Sequence, residues 1–280
     1  MLAIRSMTRA DLDLAVEWAA QEGWNPGLRD ADAFFATDPE GFLLAEHEGE
    51  PVGCISAVRY GDTFGFLGFY IVRPGHRGRG FGLALWRAAM ARFDDRVVGL
   101  DGVVAQQENY RKSGFALVHR NVRYGAARPV APTPASGFTV APITRSSFAE
   151  LAGYDRPFFP APRDAYLRAW ITQLGHVALA LGDGGRLAGY GMIRPCRDGS
   201  KIGPLFADAP EGARTLLAAL LRQAPPGPVF LDLPEPNADA VAMAREAGMA
   251  PVFETARMYT GGAPDLPLAR IYGITSFELG

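Results

Sequence analysis

The stretch Ile71-Val72-Arg73-Pro74-Gly75-His76-Arg77-Gly78-Arg79-Gly80-Phe81-Gly82-Leu83 decides how the rest of the chain is read. It follows Phe66–Val72, a continuous apolar run of the kind that a strand buried on both faces needs. Beyond it Leu83, Trp86, Met90 and Phe93 recur at spacings of three and four, one face of a helix, so Trp86 and Phe93 are expected to share a core face with Leu83. Between strand and helix stand four glycines, which allow close backbone approach and unusual dihedrals. The first amides of a helix have no internal partner and lie at the positive end of its dipole. Together these features predict an anion cradle fit for a phosphate or pyrophosphate, with Arg77 and Arg79 adding positive charge. It is not the nucleotide P-loop, because no Gly-Lys-Ser/Thr follows. It is not the dinucleotide fingerprint, because Gly78-Arg79-Gly80-Phe81-Gly82 is wrong by one residue and follows a third or later strand.

Working outward, Leu12–Trp18 has helical period. Phe42–Glu46 and Val52–Arg59 read as strands around a turn at Gly49. Val97–Leu100 reads as the next buried strand. Asn109–Ser113 reads as a helix end, with Gly114 suited to its left-handed cap, and Phe115–Tyr124 closes the unit with strands. This order predicts a mixed α/β (α+β) unit with a central, mostly antiparallel sheet flanked by helices.

Two segments in that order carry a family resemblance. Arg77-Gly78-Arg79-Gly80-Phe81-Gly82, preceded by Val72-Arg73-Pro74, resembles the acyl-CoA pyrophosphate loop of the GNAT superfamily of N-acetyltransferases. Tyr110-Arg111-Lys112-Ser113-Gly114-Phe115 looks like that family's Tyr-x-x-x-Gly-Phe segment after the fifth strand. The resemblance covers residues 1 to about 125. It implies acetyl-CoA as co-substrate, pyrophosphate held by the amides around Arg77, Gly78, Arg79, Gly80, Phe81 and Gly82, and the pantetheine arm paired with the backbone of Ile71, Val72 and Arg73. It implies direct attack by a deprotonated amine. Tyr110 matches the residue that protonates the leaving thiolate, a role that suits a phenol donor. One position departs from the family: Val103 stands where an asparagine is usual, seven residues before the tyrosine. Gln106, Gln107 and Asn109 are the candidates to replace it.

The chain also repeats itself. Ile4–Arg9 resembles Val140–Arg145, and Gly53 answers to Gly189, both at an offset of 136. Leu100-Asp101 answers to Leu231-Asp232, Ser113-Gly114-Phe115 to Ala247-Gly248-Met249, and Arg123 to Arg257. Matches in order at nearly constant offset predict two copies of one unit. Ala126–Gly137, with three prolines, reads as a semi-rigid linker. The expected division is residues 1–126, a linker at 127–137, and 138–280. In the second copy Glu211, Arg214 and Leu216 stand opposite Arg77, Gly80 and Gly82, and Ala244 opposite Tyr110. A carboxylate and bulky side chains there oppose a phosphate. The second copy is therefore expected to have lost its cofactor site, and to shape the acceptor site or brace the first. Asn237, the family asparagine, reads there as a loop or cap residue.

A general base is not singled out by pattern. Asp101, at the end of a buried strand near Tyr110, and Glu22 are the candidates, although the repetition of Asp101 as Asp232 also suits a structural role. Trp24 and Asn25, in the loop Glu22–Gly27, are expected to border the acceptor. The tail Ile271–Leu279 is expected to add a strand and to tie the units together. The 280 residues have a formal net charge of −2, which argues against a broad nucleic-acid-binding surface. Two cysteines cannot build a disulfide scaffold, and His47, His76, His119 and His176 show no metal-ligand spacing. No membrane-length apolar run or secretion signal is read, so a cytoplasmic protein without membrane partners is expected. The expected activity is acetyl transfer from acetyl-CoA to a primary amine of a small molecule, with no metal. The oligomeric state is open, a monomer with an internal pseudo-dimer being one form. The alternatives are a non-catalytic acyl-CoA sensor or interaction module, a longer acyl group, and protein lysine acetylation.

Overall fold

A computed structural model describes residues 1–144 and 148–280; Arg145, the last residue of the repeated opening, lies outside the described residues. The first half runs β1 (Leu2–Ser6), α1 (Arg9–Gln21), α2 (Asp30–Thr37), β2 (Phe42–His47), β3 (Glu50–Tyr60), β4 (Phe64–Val72), α3 (Phe81–Met90), β5 (Val97–Val103), α4 (Gln107–Lys112) and β6 (Ala116–Ala126). The second half repeats that order: β7 (Phe138–Pro142), α5 (Phe148–Asp155), α6 (Asp164–Thr172), β8 (Val177–Asp183), β9 (Arg186–Pro195), β10 (Ser200–Ala207), α7 (Pro210–Leu221), β11 (Val229–Pro234), α8 (Ala238–Glu246) and β12 (Ala250–Tyr259), followed by β13 (Ile271–Gly273). Thr8 caps α1 reciprocally with Asp11. Gly114, at φ +89°, ends α4 in the left-handed region as its sequence suggests.

One continuous sheet joins the halves, in the order β1-β2-β3-β4-β5-β12-β6-β11-β10-β9-β8-β7. The last strand of each half has crossed to the other. β12 lies between β5 and β6, and β6 lies between β12 and β11. The residues repeated between the halves lock this exchange. Arg257 on β12 stands opposite Asp101 on β5, with Nη2 2.5 Å from Oδ2. Arg123 on β6 stands opposite Asp232 on β11, with Nε 2.6 Å from Oδ1. All four side chains are buried. A buried pair of this kind contributes little net stability, but removing one partner leaves a charge with no water to solvate it. The helices are joined as well: Phe34 of α2 stacks on Trp170 of α6 with ring centroids 5.8 Å apart.

The buried face of α3 differs from the one its periodicity suggests. Phe81, Leu85 and Ala89 are buried, and Phe93 beyond the helix is buried under Gly65. Leu83 is 53% exposed, and with Trp86 it faces a cleft rather than the core. An apolar face lining a binding cavity produces the same spacing as one packed in a core.

In each half the fourth and fifth strands pair in parallel and then part. β4 and β5 pair only over Phe64–Leu67 and Val97–Leu100. Just beyond, β4 shifts register against β3 between Cys54 and Ser56, and Phe69 takes φ +47°. Such a bulge bends the strand away from its neighbour. In the second half β10 and β11 pair only over Ser200–Ile202 and Val229–Leu231, but the opening is filled by the chain itself. β13 runs antiparallel to β10, and the Ile274 amide donates to the Asp232 carbonyl at 2.8 Å. Asn237 caps α8 and also holds this plug, its Nδ2 donating to the Leu268 and Ile271 carbonyls at 3.1 and 2.9 Å.

From β13 the tail crosses back. Residues 274–280 are buried throughout. The Tyr60 hydroxyl donates to the Leu279 carbonyl at 3.0 Å. Gly68 admits the tail against β4: a Cβ there would stand 2.1 Å from the Glu278 carbonyl oxygen.

Candidate active site

The opening between β4 and β5 holds a cavity of about 500 Å³. One wall is Leu67–Val72 and the other Leu100–Val103. Its mouth is formed by His76, Arg77, Gly78, Gly80 and Gly82.

Gly78 and Gly80 take φ +75° and +82°, a region that L side chains seldom adopt, and Gly80 leads directly into α3. No side chain caps the helix. Among the described residues the amides of Gly78, Arg79 and Gly80 make no backbone hydrogen bond. A Cβ at Gly75, Gly78 or Gly80 would meet open space. These amides and glycines fit a phosphate group at the start of α3. The Arg77 Nε donates to the Val72 carbonyl at 2.8 Å, and its Nη2 bonds Glu22. Arg79 lies 2.8 Å from His47 Nε2 and over the Phe81 ring; Arg73 donates to the Pro51 carbonyl at 3.2 Å. Arg73, Arg79 and Phe81 flank the cavity without lining it.

Tyr110 of α4 lines the opposite wall. Its ring stacks on Trp86, with centroids 5.6 Å apart, and packs so closely on Gly102 that a Cβ there would fall 2.3 Å away. Burial, with Tyr70 nearby, pushes its phenol pKa up, so it stays protonated at neutral pH. The family asparagine position, Val103, lines the cavity beside Gln106. Asn109 donates to Gln106 Oε1 at 2.7 Å.

The rest of the lining draws on both halves. Glu22 and Trp24 come from the loop after α1; Phe253 and Thr255 come from exchanged β12, and Phe277 and Glu278 from the tail. Arg123 braces this wall, donating to the Trp24 carbonyl at 2.7 Å and lying 4.9 Å from the Phe277 ring centroid. Asn25 is placed elsewhere. Its side chain both donates to and accepts from the backbone of Asp198 at 2.9 Å, so it clasps the second half and does not line the cavity. Asp101 accepts from Arg257, Asn121 and Thr255. Glu278 is 3% exposed, and its Oε2 has no hydrogen-bond partner among the described residues. Burial raises its carboxyl pKa, against the lowering influence of Lys201. The four lining residues of the second half carry no motif. Glu278 is a single carboxylate in an irregular tail, and only the fold brings it to the cleft.

Among the described residues no group of three or more His, Cys, Asp and Glu could hold a metal ion. Among the described residues no helix is long and apolar enough to cross a membrane.

The cleft lies between parting parallel strands and opens onto a helix N-terminus, and comparison with known proteins shows the class of protein to which this fold belongs. Residues 9–115 match the model described as "Acetyltransferase (GNAT) family", and residues 151–273 the one described as "Acetyltransferase (GNAT) domain". The chain is 36% identical to holothin acyltransferase of Pseudoalteromonas sp. (strain SANK 73390), over 94% of this chain and 90% of that protein. Its fold is similar to that of a candidate acetyltransferase from Pyrococcus horikoshii, with a TM-score of 0.82 and 24% identity, covering 100% and 96% of the two chains. It is also similar to a tandem GNAT protein from the clavulanic acid biosynthesis pathway, with a TM-score of 0.66 and 17% identity over 95% and 100%. The chain belongs to the GNAT acetyltransferase family and carries two copies of its fold. It is an acyltransferase.

Proposed function

We propose that this protein transfers the acetyl group of acetyl-CoA to a primary amine of a small molecule, at one site in the cleft between β4 and β5. The observation that carries this reading is the contrast between the two clefts. The first is open and ends on uncapped amides. The second is filled by β13. GNAT acetyltransferases use acetyl-CoA, and the residues present fit it. The amides around Arg77–Gly82 suit its pyrophosphate, and the free edge of Ile71–Arg73 suits its pantetheine amides.

In this reading residues 1–126 hold the cofactor, 127–137 link the halves, and 138–280 supply the acceptor wall. The exchanged strands make the single chain a pseudo-dimer, so one chain provides what two would otherwise supply. Reaction in the cytoplasm fits a co-substrate made there. The amine nitrogen attacks the thioester carbonyl, an amide C–N bond forms and the C–S bond breaks. Tyr110 is the proton donor to the departing thiolate, a charge that develops only late in the step. Trp24, Phe253 and Phe277 roof the acceptor end, which favours a small acceptor over a protein lysine on an open groove.

The test is thiol release from acetyl-CoA across a panel of small amines, beside calorimetric binding. Amine-dependent release is expected. Binding with no turnover on any amine would instead make the protein an acyl-CoA sensor.

A further inference from the structure

We infer that Glu278 is the base that takes the proton from the acceptor amine; this rests on the proposed amine acetylation. Three carboxylates line the cavity, and two are committed elsewhere. Glu22 is ion-paired with Arg77. Asp101 accepts four hydrogen bonds and neutralises buried Arg257 across the exchanged strands. Its counterpart Asp232 does the same for Arg123 beside the filled cleft, where no substrate enters. Glu278 alone is both buried and unpartnered at Oε2.

The surrounding charges explain why it stays free. Lys201 on β10, Arg194 on β9, Asp30 on α2 and Arg123 on β6 all act on it. Each cation has an acceptor of its own, and of their nitrogens only the Arg194 Nη2 is left without a partner among the described residues, as Glu278 Oε2 is. Arg194 is 3.0 Å from Asp30, and Arg123 is bidentate with Asp232. Lys201 donates to the Asn25 carbonyl at 2.9 Å and lies 4.0 Å from Asp232. A buried carboxylate with no partner is costly to keep, and Glu278 is one of the residues that line the cavity. The Glu278 backbone rests on Gly68, next to the Phe69 bulge where β4 leaves β5. Tyr110 stands across that cleft, against Gly102.

The protons balance. The amine gives one to Glu278 as its nitrogen bonds to the acetyl carbon, and the thiolate takes one from Tyr110 as the C–S bond breaks. Solvent exchange then returns a proton from Glu278 to Tyr110. Burial raises the Glu278 carboxyl above the ordinary carboxylate range, nearer the pH at which a base works well. The ionised form is the active one, so kcat falls as pH drops through that raised value.

The test is Glu278→Gln. Loss of kcat by about a hundredfold or more is expected, together with loss of the acidic limb of the kcat profile, while acetyl-CoA affinity measured by calorimetry is unchanged. Retained kcat, or an unchanged limb, in a folded variant overturns the inference and leaves the acetyltransferase reading intact. A wild-type protein that turns over no amine overturns the proposed function instead. Should the variant not fold, the wild-type profile decides. A limb at the same pH for amines of different basicity supports Glu278, and a limb that follows each amine's own pKa overturns it.

Discussion

Asp101→Asn tests the exchanged strands and separates a structural carboxylate from a catalytic one. The amide still accepts from Asn121 and Thr255, which bond Oδ1 at 2.8 and 3.2 Å. It cannot neutralise Arg257, whose side chain is 7% exposed. Breaking a buried pair from one side costs about 3–5 kcal/mol. At about 2–4 °C per kcal/mol, the lowering of Tm is roughly 6–20 °C. Because β12 completes the first half and β6 the second, one cooperative transition is expected. The double variant Asp101→Asn/Arg257→Met removes both charges and keeps the acceptor for Asn121, so it should recover most of the loss. Differential scanning calorimetry reads the stability, and thiol release reads the activity of the folded protein. The folded double variant is expected to turn over near the wild-type rate. An Asp101→Asn protein that melts with the wild type would refute the lock. A stable double variant whose turnover falls a hundredfold would return Asp101 to the chemistry.

Tyr110→Phe should keep acetyl-CoA affinity and lower kcat by about tenfold or more, the size expected for loss of a proton donor; unchanged kcat would remove that role. Gly68→Ala places a methyl 2.1 Å from the Glu278 carbonyl oxygen, and should cost about 1–3 kcal/mol and lower turnover by shifting the tail. A melt superimposable on the wild type would mean the tail does not lie against β4. Burial, with Arg257 and Arg194 respectively, pulls His119 and His176 down to about 4 from 6.5. The folded state then binds fewer protons than the unfolded one between those values, so stability holds above about pH 6.5 and falls as pH drops toward 4. His119→Asn/His176→Asn should show a shallower fall of Tm over that window; an unchanged slope would contradict the assignment.

The glycine segment was legible because its structure is local. A buried strand, a turn with open glycines and a helix start are all encoded within Ile71–Leu83. The repeat was legible too, but the meaning of its polar members was not. Asp101, Asp232, Arg123 and Arg257 stood out as repeated residues, and only the sheet order shows that each Asp meets the Arg of the other copy. Strand patterning records which face is buried, not which strand lies alongside, so β6 and β12 read alike in either place. The face of α3 that meets the core is not legible from spacing, because a cleft and a core both demand apolar residues. Side-chain bulk at Glu211 and Arg214 pointed to a lost second cofactor site, whereas the structure fills that opening with β13, far along the chain. Glu278 had no signal of its own, since its environment is assembled from α2, β4, β6, β9 and β10.

The proposed function requires one acetyl-CoA site per chain, in the cleft of the first half. Calorimetric titration of acetyl-CoA tests it most directly, with Gly80→Glu as the control that places a carboxylate at the start of α3. One site per chain, abolished in a Gly80→Glu protein that remains folded by circular dichroism, is the predicted result. Two sites per chain, or full binding retained by Gly80→Glu, would contradict it.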